Sequence, residues 1–215
     1  MSIEDGKQYN NYQYQAPPKI ANPAPLGLCG FALTTFVLSI ANTGSANVSS
    51  PSITLGLALF YGGLAQLLAG MWEFKTGNTF GATAFSSYGG FWLSFACIII
   101  PGFGVPGSFA NIEAFEHAVG IYLLAWTIFT FLMFIASFRT NAGIMVLFLL
   151  LDLTFLLLTI GKFTPAGPVG DVNIATKIGG ILGIITALVA WYNALAGLLA
   201  DSGIKLPNYD LKKSD

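Results

Sequence analysis

The sequence predicts an all-α integral membrane protein whose protomer crosses the bilayer six times. Six apolar runs fill most of the chain, at 24–43, 53–72, 82–102, 117–138, 142–161 and 174–200. Each has about the 20 residues that carry an α-helix through roughly 30 Å of hydrocarbon. Charged residues make up only 9% of the chain, against roughly 25% in soluble domains. So few charges cannot cover a water-facing surface, which leaves lipid as the solvent. The runs also lack the alternating segments of about ten residues that a membrane barrel needs, so helices must satisfy the backbone.

The elements follow in order. Residues 1–21 form a polar tail rich in Gln, Asn and Tyr, without the apolar core of a secretory signal, and are expected to be flexible. The first span opens with Asn22-Pro23-Ala24-Pro25, a good cap followed by proline where the first turn tolerates it. Asn-Pro-Ala invites an aquaporin reading, but aquaporins carry two copies on half-helices that meet at mid-membrane, and this chain has one. The first linker carries the sequon Asn47-Val48-Ser49, close to the membrane. Small residues recur at helical spacing: Gly56, Gly63 and Gly70 in the second span, with Gly77 continuing the series into the loop, Ser86, Gly90 and Ser94 in the third, and Gly179, Gly183 and Ala187 in the sixth. Such stripes let helix backbones approach closely in lipid. The fifth span is bulky from Ile144 to Leu158 and is expected to face lipid or a neighbouring subunit over much of its surface. Residues 22–201 thus form the transmembrane domain, and 202–215 a second tail.

Six crossings put both termini on one side. Lys7, Lys19, Lys75, Arg139, Lys205, Lys212 and Lys213 fall on that side, and Lys162 and Lys177 on the other, which predicts cytoplasmic termini. A formal net charge of −1 gives no electrostatic case for nucleic acid. Cys29 and Cys97 both lie within apolar runs, as inert buried thiols do, and no metal-ligand spacing is present. No cofactor is expected.

Titratable groups are scarce, and no nucleophile–base pair or phosphate loop is readable, which argues against an enzyme. His117 stands at the start of the fourth span beside Glu113 and Glu116, as a solvated helix end or a pH sensor. Asp152 lies near the middle of the fifth span, where a carboxylate costs a few kcal/mol, so it is a candidate for proton coupling or for a hydrogen bond to a neighbouring helix or subunit. Gln66 and Glu73 share a face of the second span; Glu73 either couples a proton or snorkels to the surface and pairs with Lys75. Phe31 and Thr35, with Thr34 adjacent, and Thr83, Ser87, Tyr88 and Trp92 offer hydroxyls between aromatic constrictions along a narrow path. No Lys or Arg lies deep in a span, so an anion would be held by hydroxyls, amides and helix N-termini, or would cross as its neutral acid.

The blocks Asn22-Pro23-Ala24-Pro25-Leu26-Gly27-Leu28, Phe60-Tyr61-Gly62-Gly63-Leu64-Ala65-Gln66, Ala69-Gly70-Met71-Trp72-Glu73 and Gly77-Asn78-Thr79-Phe80-Gly81, with Ser87-Tyr88-Gly89-Gly90-Phe91-Trp92, resemble the acetate uptake transporter family, also called the GPR1/FUN34/YaaH family. The resemblance covers roughly residues 20–200, and the wording of the blocks is closer to fungal members than to bacterial ones. It implies a six-helix protomer assembled as a homohexamer in the plasma membrane, each protomer with its own path. It implies transport of acetate, and in some members succinate or other short carboxylates, by proton coupling or in a channel-like mode. It places a hydrophobic constriction at Phe31, Tyr88 and Leu151, and carboxylate contacts at Asn22, Thr34, Thr35, Gln66, Asn78 and Thr83. Two rival readings stay open: a pore for a neutral solute such as ammonia, and a membrane sensor that signals through its tails.

Overall fold

The computed structural model describes residues 20–45, 50–164, 172–200 and 202–211. The sequon at Asn47, most of the N-terminal tail and residues 212–215 lie outside them. Six helices are long and apolar enough to cross a membrane: α1 (Ala24–Thr43), α2 (Pro51–Thr76), α3 (Thr79–Ile99), α4 (Ile112–Ser137), α5 (Ala142–Phe163) and α6 (Ile174–Ala200). No β-strand occurs among the described residues.

Helices α3, α4 and α5 each begin where an asparagine side chain takes up the N–H of the third helical residue, and Asn22 and Asn173 take up an earlier N–H at the starts of α1 and α6. Asn78 accepts from Gly81 N–H at 3.1 Å, Asn111 from Ala114 N–H at 2.8 Å and Asn141 from Ile144 N–H at 2.9 Å. The cap at Asn111 starts α4 at Ile112, ahead of the apolar run predicted from 117. Glu113, Glu116 and His117 therefore belong to the first turns of α4, with Glu113 set against the positive end of the helix dipole.

α2 is not uniform. A 3₁₀ turn (Pro51–Thr54) leads into α-helix (Leu55–Leu59), then π-helix (Phe60–Ala65), then α-helix again (Gln66–Thr76). The π segment coincides with the Phe-Tyr-Gly-Gly block and lies flush against α1 and α3. A Cβ on Gly62 would stand 2.6 Å from Thr34 Oγ1 and 2.8 Å from Trp92 Cδ1, so only glycine admits this approach. The α2–α3 turn rests on Gly77 at φ 79°, which lets Asn78 N–H reach the Glu73 carbonyl at 3.1 Å.

Around the bundle the helices follow the order α3, α2, α1, α6, α5, α4. The stripe in α6 packs inside the protomer: Gly183 lies against the Ser39 hydroxyl of α1 and Gly179 against Leu158 of α5, while Gly180, beside the stripe, lies against the Ser39 carbonyl. Gly63 and Gly70 likewise meet Leu93 and Ser86 of α3, whereas Gly56 and Gly90 face open space and do not serve this packing. The seam between α3 and α4 is closed by large side chains rather than close backbones. Tyr88 lies tilted against Trp126 at 6.0 Å and edge-on to Phe129 at 5.6 Å, Phe91 packs on Trp126 at 5.2 Å, and Ser94 Oγ and Tyr122 OH lie 2.7 Å apart. α5 presents Leu149, Leu153, Leu156 and Ile160 outward as expected, but its other flank, with Leu147, Phe148, Leu151 and Phe155, is buried against the interior of the bundle.

Residues 202–211, read from the sequence as part of a second tail, return across the α4–α5 turn. Ala142 N–H donates to the Tyr209 carbonyl at 2.8 Å and Leu211 N–H to the Thr140 carbonyl at 2.9 Å.

Candidate functional site

Two cavities occupy the bundle between α1, α3 and α5. The far-side cavity, about 810 Å³, opens at the ends marked by Asn42, Ile112 and Lys162. The terminal-side cavity, about 620 Å³, opens at the other end, among Asn22, Asn78, Asn141 and Lys205. Three residues line both: Phe31 from α1, Tyr88 from α3 and Leu151 from α5. They form an apolar septum between two wells.

The septum is held from behind. Phe31 meets Tyr88 edge-on, with ring centres 6.0 Å apart, and Tyr88 is flanked by Phe129 at 5.6 Å and Phe148 at 6.1 Å. Thr130 Oγ1 gives its proton to the Trp126 carbonyl at 2.7 Å, so the Tyr88 hydroxyl, 2.8 Å away, donates to Thr130. That bond spends the phenol on α4. Each septum residue is almost fully buried.

On each side of the septum stands a buried polar atom with no hydrogen-bond partner among the described residues: Thr35 Oγ1 in the far-side wall and Gln66 Oε1 in the terminal-side wall. A buried polar atom left unpaired costs about 1–3 kcal/mol, which a polar guest or water in the adjoining well would relieve. Ser39 and Thr154 add hydroxyls to the far-side wall, and Asn22 and Asn193 add amides to the terminal-side wall. The far-side rim carries Glu113, Glu116, His117 and Lys162, with Lys162 ion-paired to Glu116 and the His117 ring 5.6 Å from Phe163.

The structure gathers Phe31, Tyr88, Leu151, Asn22, Thr35, Gln66 and Asn78 around these wells. It places four other sequence candidates away from them. Thr34 is wholly buried, donates to the Gly30 carbonyl at 2.8 Å and packs against Gly62. Thr83 sits on the exposed face of α3 and donates to the Thr79 carbonyl at 2.8 Å. Neither hydroxyl is available to a guest in the wells. Glu73 does not reach the surface to meet Lys75: it is buried, and Oε2 accepts from Asn78 Nδ2 at 2.9 Å and Thr76 Oγ1 at 3.2 Å. Asp152 follows Leu151 but lines neither well.

Ser39, Thr154, Asn193 and Lys205 line the wells without having been singled out for them. Asn193 carried a signal, a lone amide in the apolar run of α6. The hydroxyls of Ser39 and Thr154 resemble many others in the spans.

A sequence profile described as the GPR1/FUN34/yaaH family matches residues 5–213. Ammonia transport outward protein 2 of Saccharomyces cerevisiae is 50% identical over 181 residues, 84% of this chain and 62% of that protein. Acetate permease A of Emericella nidulans is 50% identical over 190 residues, 86% of this chain and 63% of that protein. The succinate-acetate/proton symporter SatP of Escherichia coli is 39% identical over 182 residues, 84% and 90% of the two chains. The chain thus spans about three fifths of the length of the fungal relatives and most of the bacterial one. The solved structure of the bacterial acetate channel SatP superposes with a TM-score of 0.75 at 36% identity, covering 88% of this chain and 99% of that one. With a profile match across nearly its whole length, this chain belongs to the GPR1/FUN34/yaaH family.

Proposed function

We propose that the protein moves acetate, and other short carboxylates such as succinate, across a membrane through the two wells and their septum. The observation that carries this reading is that Phe31, Tyr88 and Leu151, and no other described residues, line both wells. A three-residue apolar neck passes a methyl group readily and penalises a bare charge by several kcal/mol. Thr35 Oγ1, unspent on one side of the neck, can donate to a carboxylate, and Gln66 Oε1, an unspent acceptor on the other side, can take the O–H of the neutral acid. A proton carried with the substrate removes the charge penalty, so we expect flux to rise when the source side is acidic. The relatives named as an acetate permease and as a proton symporter support the same substrate and the same coupling.

The whole path lies within one chain, so a homohexamer of independent paths is consistent with it. The distribution of Lys and Arg supports cytoplasmic termini and makes the terminal-side well the cytoplasmic mouth. We place the protein in the plasma membrane, as the resemblance implies.

A second reading is a pore for ammonia. It is favoured by the name of one relative and by the absence of charge at the septum. Purified protein in liposomes separates the two: saturable influx of labelled acetate, competed by propionate and indifferent to ammonium, supports the carboxylate path. Rapid internal alkalinisation by ammonium without any acetate influx would overturn it.

A further inference from the structure

The terminal-side well has a wall that the six helices do not supply. Ile204, Lys205, Leu206, Asn208 and Asp210 line it together with residues of α1, α3, α5 and α6. These side chains belong to the segment that returns after α6, and its attachment is specific. The Tyr192 hydroxyl of α6 donates to the Pro207 carbonyl at 2.6 Å. Asn208 reaches two helices at once: its Oδ1 accepts from Gly143 N–H of α5 at 3.0 Å, and its Nδ2 donates to Asn193 Oδ1 of α6 at 3.3 Å. The Tyr209 carbonyl takes Ala142 N–H, and Asn141 opposes Asp210 in an isolated antiparallel bridge. The opening N–H groups of α5, normally left to solvent, are therefore satisfied at Ala142 and Gly143 by this segment and at Ile144 by Asn141. α5 is also the helix that carries Leu151.

Among the described residues, Lys205 is the one Lys or Arg that lines this well. A carboxylate entering or leaving on this side passes the Lys205 ammonium group at the rim, with the Asp210 carboxylate further along the same wall. A cation at the mouth of a narrow apolar-walled well raises the local concentration of anions and loses that effect as salt screens it.

We propose that the strap Leu206–Leu211 is a built wall of the terminal-side mouth, and that it holds Lys205 there as the residue that gathers carboxylates from that side. This rests on the reading of the protein as a carboxylate path. The test is labelled-acetate influx into vesicles holding the full chain, with the end that faces the bath identified by antibody access to a C-terminal tag. Lys205→Gln and Asn208→Ala are compared with wild type and with Lys75→Gln, a cation at the same end that lines neither well. Hydrogen exchange at the amides of Ala142, Gly143 and Leu211 reports the strap itself.

Lys205→Gln is expected to lower influx from the strap side by about two- to fivefold at low ionic strength, the size an exposed charge exerts, and to abolish its salt dependence. The Lys75→Gln control stays at the wild-type value. Asn208→Ala is expected to speed exchange at Gly143 and Leu211 and to reproduce the loss of strap-side influx. Wild-type acetate influx that neither variant changes would overturn the strap proposal and leave the carboxylate reading standing. Absence of acetate influx in the wild type itself would overturn both.

Discussion

Phe31 narrows the proposed path with a ring that offers a carboxylate no donor. Replacing it with alanine removes one of the three walls shared by the two wells. Phe31→Ala is expected to admit bulkier carboxylates, read as stronger competition by succinate and benzoate against labelled acetate. An unchanged ranking of competitors would place the narrow point elsewhere. Asp152 lines neither well, so Asp152→Asn is expected to leave the pH dependence of uptake where it is in the wild type; a displaced pH profile would bring Asp152 into the coupling. Glu73 ties the end of α2 to the cap of α3 through Asn78. Glu73→Gln keeps an acceptor for Asn78 and should keep uptake, while Glu73→Ala leaves the Asn78 amide unpaired and should lower stability by about 1–3 kcal/mol, measured by unfolding in detergent. Loss of uptake in the Gln variant with its stability intact would instead assign the carboxyl to transport. Of the three residues that line both wells, Tyr88 sits in a long family block and Phe31 follows another closely, whereas Leu151, in a helix with weak motifs, was named only through the resemblance. Which hydroxyl faces a well was not legible: Thr34 and Thr35 are neighbours about 100° apart on a helix, and their sequence context does not separate the one buried against Gly62 from the one at the well.

Among the elements, α2 departs furthest from what its apolar run announces. A hydropathy run says that a span exists but not that its centre is wound as a π-helix, because the extra residue per turn is fixed by what packs against it. Here that is α1, which brings Thr34 against Gly62, and α3, which brings Trp92. Gly62→Ala is expected to destabilise the folded protein by about 1–3 kcal/mol, as overpacking does. Gly90→Ala, where nothing lies within 4 Å of the added carbon, should be neutral or slightly favourable. Equal melting temperatures for the two variants would contradict the close approach of α1, α2 and α3 at the π segment. The asparagines at 78, 111 and 141 were not singled out as caps in the sequence, and the one at Asn111 sets the start of α4 outward of its apolar run by more than a turn. The strap was not readable at all. Asn208 meets Gly143 and Asn193 across long separations, and no local pattern encodes such a meeting.

For the molecule as a whole, six crossings and an all-helical fold were legible because the bilayer allows little else for runs of this length and composition. The order of helices around the bundle was not, since small-residue stripes announce close packing without naming the partner. The result is a chain with a polar mouth at each end and one shared apolar neck between them, an arrangement suited to passing a small solute with an apolar end. Uptake of labelled acetate into liposomes holding the purified full chain, with and without an inward proton gradient, tests this account most directly. A carboxylate path through this neck gives saturable uptake above empty liposomes, competed by unlabelled acetate and raised by the gradient. Folded protein that gives no uptake above empty liposomes in either condition would contradict it.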